Sequence, residues 1–143
     1  MNEVARGLAF SVGTHGVVVP ASLVERVVEA ELSPSPPLGR AWVGGFGVSD
    51  GGIFVAIDLL AGRAGSPAHL GVQACVLLET GTRSGLQWAL RVTRALGFVD
   101  LAQCARPVSM PAEWPAWVGG AQLGDKSIVG LLDVVGMARD FES

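Results

Sequence analysis

A chain of 143 residues, half of them apolar, has material for one compact domain or for two small subdomains around a shared core. Its formal charge of -3 leaves no basic footprint, which argues against a nucleic-acid partner. No uninterrupted apolar run reaches the ~18 residues of a bilayer span, and Cys75 and Cys104 lack metal-ligand spacing, so the expectation is a cytoplasmic protein with reduced thiols, no membrane insertion and no metal.

Residues 1–7 carry charges without a long apolar stretch and are expected to form a flexible N-terminus. From there the chain runs in short Val-, Leu- and Ile-rich pieces punctuated by 20 glycines and 8 prolines, the pattern of strands and tight turns. Strands are predicted over 8–12, 16–19, 26–31, 41–48 and 52–58, with one helical turn over 20–25. Five more follow over 73–80, 86–90, 95–101, 116–123 and 127–133, with a similar helical turn over 91–94. The tail, 134–141, suits a short helix with Asp133 as its N-cap.

The two sets of five repeat one another. Trp42, Val43, Gly44 and Gly45 reappear as Trp117, Val118, Gly119 and Gly120; without a gap, Asp50 then meets Asp125, Ile53 meets Ile128 and Asp58 meets Asp133. Each copy reads as strand, turn, strand, a β-hairpin. A weaker echo matches Gly13-Thr14 with Gly81-Thr82, Ala21 with Ala89, Val24 with Val92 and Arg26 with Arg94. Five strands sharing an apolar face close most simply into a small barrel, which removes exposed edges. The fold class expected is therefore all-β: two similar five-stranded β-barrel subdomains packed side by side, with short helical turns and a short C-terminal helix. The single domain spans 8–141, its barrels lying near 8–60 and 72–135 with strand exchange between them allowed.

Catalytic chemistry finds little support. His15 sits in a Gly-Thr-His-Gly turn and His69 in a long connection, and neither lies near a Gly-x-Ser-x-Gly elbow. Asp58 and Asp133 end equivalent strands, where a turn or capping role outweighs an acid pair. The glycines from 44 to 52 lack phosphate-loop spacing and a following helix. No catalytic, cofactor or metal site is expected. Trp42 and Trp117 should pack between the halves, while Trp114, flanked by prolines, is either exposed or covers one barrel end.

The order of these elements resembles the CheW family, the adaptors that couple chemoreceptors to the histidine kinase CheA. Phe10-Ser11-Val12-Gly13 matches the family's early Phe-x-x-Gly, and Val24-Glu25-Arg26-Val27 its Val-x-Glu-Val. Ser33 through Pro37 resembles its Pro-rich connection. Gly45 through Gly51, ending at Asp58-Leu59, resembles its Gly-Val-x-Asn-Leu-Arg-Gly stretch. Residues 128–134 resemble its closing strand. The resemblance implies a non-enzymatic adaptor between a CheA-type histidine kinase and a chemoreceptor cytoplasmic tip, located at membrane-associated receptor arrays. It also implies that Arg26, Gly45, Val48, Asp50 and Gly51 meet the partners. Two departures stand out: Arg26 where the family has Glu, and Asp50 where it has Arg. An Arg26–Asp50 pair of reversed polarity would alter partner choice. Two alternatives remain: a CheW-like module serving another motility or polarity regulator, and, from a different class, a ligand-binding or catalytic barrel.

Overall fold

The computed structural model describes residues 6–33, 42–49, 52–60, 71–80, 87–104, 106–108, 114–122 and 127–142. Five strands come from the first half: β1 (Arg6–Val12), β2 (His15–Pro20), β3 (Val24–Glu31), β4 (Val43–Ser49) and β5 (Gly52–Ile57). Six come from the second: β6 (Val72–Leu78), β7 (Gln87–Val92), β8 (Arg94–Asp100), β9 (Arg106–Val108), β10 (Val118–Gln122) and β11 (Ile128–Leu132). The helix α1 (Val134–Glu142) closes the chain. The Asp133 carboxylate accepts from the Gly136 N–H at 3.0 Å, an N-cap bond as expected. A 3-10 turn fills Ala21–Leu23, but Arg91 and Val92 complete β7 instead of forming a second one. There the Thr93 N–H donates to Ser11 O at 2.7 Å, which draws the chain straight from β7 into β8 beside β1.

The strands form a six-stranded sheet, ordered β8-β1-β2-β11-β10-β9, and a five-stranded sheet, ordered β3-β6-β7-β5-β4. Segments 8–60 and 72–135 each contribute to both. Exchanging every strand for its counterpart in the other repeat turns the second order into the first five strands of the first. Each sheet thus takes its opening hairpin from one repeat and its remaining strands from the other, three in the five-stranded sheet and four in the six-stranded one. The parallel pairs β2–β11 and β5–β7 are the joints of this exchange. The strand beyond the expected ten is β9, whose Pro107 sits on a sheet edge where no N–H is demanded of it.

The ladders also set the true repeat register. Gly81 and Thr82 lie outside the described residues, but Ala9 pairs with Val18 as Leu77 pairs with Ala89, so the second hairpin is three residues longer. Beyond it, Val24 corresponds to Ala95 and Arg26 to Gly97, not to Val92 and Arg94; both strands skip one residue at the same bulge. A further bulge between Val43 and Gly45 shifts β4 by one, which makes Gln122 rather than Leu123 the counterpart of Val48.

Residues 17–19 of β2, 75–78 of β6 and 88–90 of β7 read as unbroken apolar runs because both faces are covered there. Val18 points into one barrel with Ala9, Ala121 and Val129, while Cys75, Leu77 and Ala89 fill the other with Phe54 and Ala56. Their alternate residues, Val17, Val19, Val76, Leu78 and Leu90, meet in the largest cluster, which lies between the barrels. Trp42, Trp88 and Trp117 join it, as does Phe141 of α1, whose ring lies 5.1 Å from Trp88 and 5.9 Å from Trp117. Burial of a Val or Leu side chain is worth about 1.5–3 kcal/mol, so this seam holds the two barrels as one body.

Candidate protein-docking site

The five-stranded sheet curls until its edge strands meet. The Ser33 N–H donates to Phe46 O at 2.7 Å and the Phe46 N–H to Ser33 O at 2.9 Å, a single antiparallel bridge. Among the described residues β3 otherwise pairs only with β6, and β4 only with β5. The two strands diverge beyond the bridge and leave a groove of about 570 Å³ lined by Glu29, Ala30, Glu31, Ser33, Phe46, Gly47, Val48 and Ile53.

Local sequence explains its shape. Alternation along β4 sends Gly47 into the barrel, where a Cβ would stand 2.7 Å from Phe54 Cε2, so the Phe54 ring occupies the missing side chain's place. Phe46 and Val48 therefore face outward, and Val48 lies opposite Ile53 on β5. These two are 67% and 63% exposed and form an apolar pair beside the groove. Exposed Glu29 and Glu31 give the β3 wall a negative rim. At the far end the Arg26 guanidinium donates to Ser49 Oγ at 3.0 Å, tying the strands together again.

Of the residues expected to meet partners, Arg26 and Val48 are exposed at this site. Gly45 is buried, so it offers no surface; its φ of 150° forms the bulge that sets the register of Phe46 and Val48. Asp50 and Gly51 lie outside the described residues, and so does the expected Arg26–Asp50 pair, although Arg26 does reach the residue just before Asp50. Sequence reasoning passed over Glu29, Glu31, Phe46 and Ile53. Ile53 carried a usable signal, because it faces the same way as Val48 in a two-residue hairpin.

A second exposed apolar surface lies on β8, the edge of the six-stranded sheet. Leu96 is 53% and Phe98 68% exposed, and the Arg6 guanidinium stands 5.8 Å over the Phe98 ring. Since β8 is the repeat counterpart of β3, each barrel exposes apolar side chains on or beside equivalent edges. His15 is exposed and meets Trp114 edge-on at 4.9 Å, and Trp114 is half-buried against the inter-barrel core. His69 lies outside the described residues. Among the described residues there is no cluster of three or more potential metal ligands, and no helix is long and apolar enough to cross a membrane.

No family model matches the chain, and no curated protein matches it by sequence. Among solved structures, the scaffolding protein TtCheW from Thermoanaerobacter tengcongensis superimposes with a TM-score of 0.66 over 93% of this chain and 86% of that one, at 19% identity. The chain has the CheW fold. The all-β architecture expected from the repeat is thus shared with a CheW scaffolding protein. On that fold, the groove beside Val48 and the β8 surface both expose large apolar side chains.

Proposed function

We propose that this protein is a non-enzymatic adaptor of a chemosensory pathway, joining a CheA-type histidine kinase to a chemoreceptor cytoplasmic tip. The observation that carries the reading is the pair of apolar faces, Val48–Ile53 on one barrel and Leu96–Phe98 on the other, on a CheW-like fold. A coupling protein needs two surfaces that can be filled at once, and a rigid pair of barrels supplies them. Its place is the cytoplasm, beside receptor arrays. The sign-reversed residues Arg26 and Asp50 tune partner choice: a carboxylate where a partner expects a guanidinium repels an acidic group and loses its bidentate hydrogen bonds.

The test is co-purification of the 143-residue chain with a kinase and a receptor fragment encoded beside it. Capture of both is expected, with Val48→Asp and Phe98→Asp each weakening one partner at least tenfold and sparing the other. Asp50→Arg should gain binding to an ordinary receptor–kinase pair. Capture of neither partner by the unaltered chain overturns the adaptor reading, and an Asp50→Arg variant without any gain overturns the account of specificity.

A further inference from the structure

We infer that the groove between β3 and β4 takes an extended segment of the partner as an added β-strand, one that alternates apolar with Lys or Arg side chains. This rests on the docking surface proposed above and specifies how it is filled.

The argument comes from the chain's own second repeat. Past the bulge in β4, Phe46 corresponds to Gly120, Gly47 to Ala121 and Val48 to Gln122, since each trio faces corresponding residues of β5 and β11. In the second repeat β9 runs along the outer edge of β10 for three pairs, Val108 with Gly120, Pro107 with Ala121 and Arg106 with Gln122. Among the described residues the first repeat makes only the first of these, Ser33 with Phe46. The groove begins where the missing pairs would be.

Backbone alternation supports the same conclusion. In an antiparallel strand, the N–H and C=O of every second residue point to the same side. Phe46 bonds outward to Ser33, so Val48 directs its N–H and C=O outward as well, into the groove. An open edge beside an apolar floor is what strand addition uses: main-chain bonds supply affinity, and alternate side chains supply selectivity. Phe46, Val48 and Ile53 offer the apolar contact, and Glu29 and Glu31 on the facing wall select basic side chains over acidic ones.

The probe is a fluorescein-labelled peptide, acetyl-Lys-Val-Lys-Val-Lys-Val-Lys-amide, added to the full chain and followed by anisotropy and amide hydrogen exchange. Binding is expected to slow exchange of the Val48 amide at least tenfold. A Glu-for-Lys peptide should bind at least tenfold more weakly, and so should a peptide N-methylated at alternate residues. Val48→Pro keeps an apolar side chain and removes an N–H that the fold does not use; it should weaken the peptide at least tenfold, whereas Val48→Ile should not. Equal binding of the N-methylated peptide, or unchanged Val48 exchange at saturation, overturns strand addition. If the kinase and receptor are captured and Val48→Asp loses one while no ladder forms with the peptide, the docking surface stands and strand addition falls. A ladder with the peptide but no capture of either partner leaves strand addition standing and removes the adaptor reading.

Discussion

Asp58 and Arg91 form a buried ion pair across the joint between the two repeats. The parallel ladder of β5 and β7 sets Ile57 beside Leu90, and the next residues along, Asp58 and Arg91, meet at 3.4 Å with side chains only 2% and 13% exposed. The same Asp58 carboxylate accepts from the Leu60 N–H at 2.9 Å, and Arg91 Nε donates to Gln73 Oε1 at 2.9 Å. The first-repeat strand is thereby tied to both strands of the second-repeat hairpin.

Removing one partner of such a pair leaves the other as an uncompensated buried charge. Arg91→Ala is expected to lower unfolding free energy by about 3–5 kcal/mol, measured by urea denaturation. The double variant Asp58→Asn/Arg91→Met should cost less than the sum of its single changes, because neither charge is then stranded. Additive losses would show that the two do not act as a pair.

Cys75 stands opposite Arg91 on β6 and gives a pH signature. Burial pushes its thiol from 9.0 up to about 11, with Arg91 pulling down and Asp58 pushing up. The folded protein holds this proton after the unfolded chain has released it. The contribution is therefore whole below pH 9.0 and is lost as pH rises toward about 11. It amounts to roughly 2–3 kcal/mol. Urea midpoints of the native chain should fall faster over that interval than those of Cys75→Ala, and parallel profiles would refute the assignment. Iodoacetamide should leave Cys75 largely unmodified in the folded state at pH 8.

Gly47 exists to make room for Phe54. In Gly47→Ala the new methyl must displace a ring that is 1% exposed at the centre of the five-stranded barrel. Overpacking of this kind costs about 1–3 kcal/mol. Adding Phe54→Leu should restore part of the loss, which thermal melts of the single and double variants will check.

Phe141 is the side chain through which α1 closes the seam. Phe141→Ala should cost about 3–5 kcal/mol and shift the tryptophan emission, because Trp88 and Trp117 both lose a ring neighbour. The Trp117 Nε1–H donates to Asp140 Oδ2 at 3.3 Å, and Asp140→Ala should cost only about 1 kcal/mol.

The strands and the helix were legible because short apolar runs between glycines and prolines have few other readings, and Trp42 and Trp117 marked the start of equivalent hairpins. Their Asp58 and Asp133 N–H groups donate to the Trp42 and Trp117 carbonyls at 2.7 and 2.8 Å, so that repeat is structural as well as textual. What pairs with what was not legible: Val17, Val18 and Val19 show that β2 is covered on both faces, but nothing in three valines names β11 as the neighbour. The register beyond β6 is not legible because a longer hairpin leaves no mark in the residues that follow it. Arg91 falls in the turn expected over 91–94, and the buried Asp58 beside it explains why it continues β7 instead. At the candidate site Val48 is singled out by the resemblance, but the groove beside it arises from the divergence of β3 and β4, which no local pattern records.

The reciprocal exchange of hairpins has a consequence for how such a protein arises. A single repeat, standing alone, would carry an opening hairpin and three later strands that cannot complete a barrel with each other in this arrangement, and two copies would have to trade hairpins. Fusing the copies turns that trade into an intramolecular event, independent of concentration. It also frees the halves to diverge. One barrel carries β9 along β10, whereas among the described residues its twin has only the Ser33–Phe46 bridge at the corresponding place.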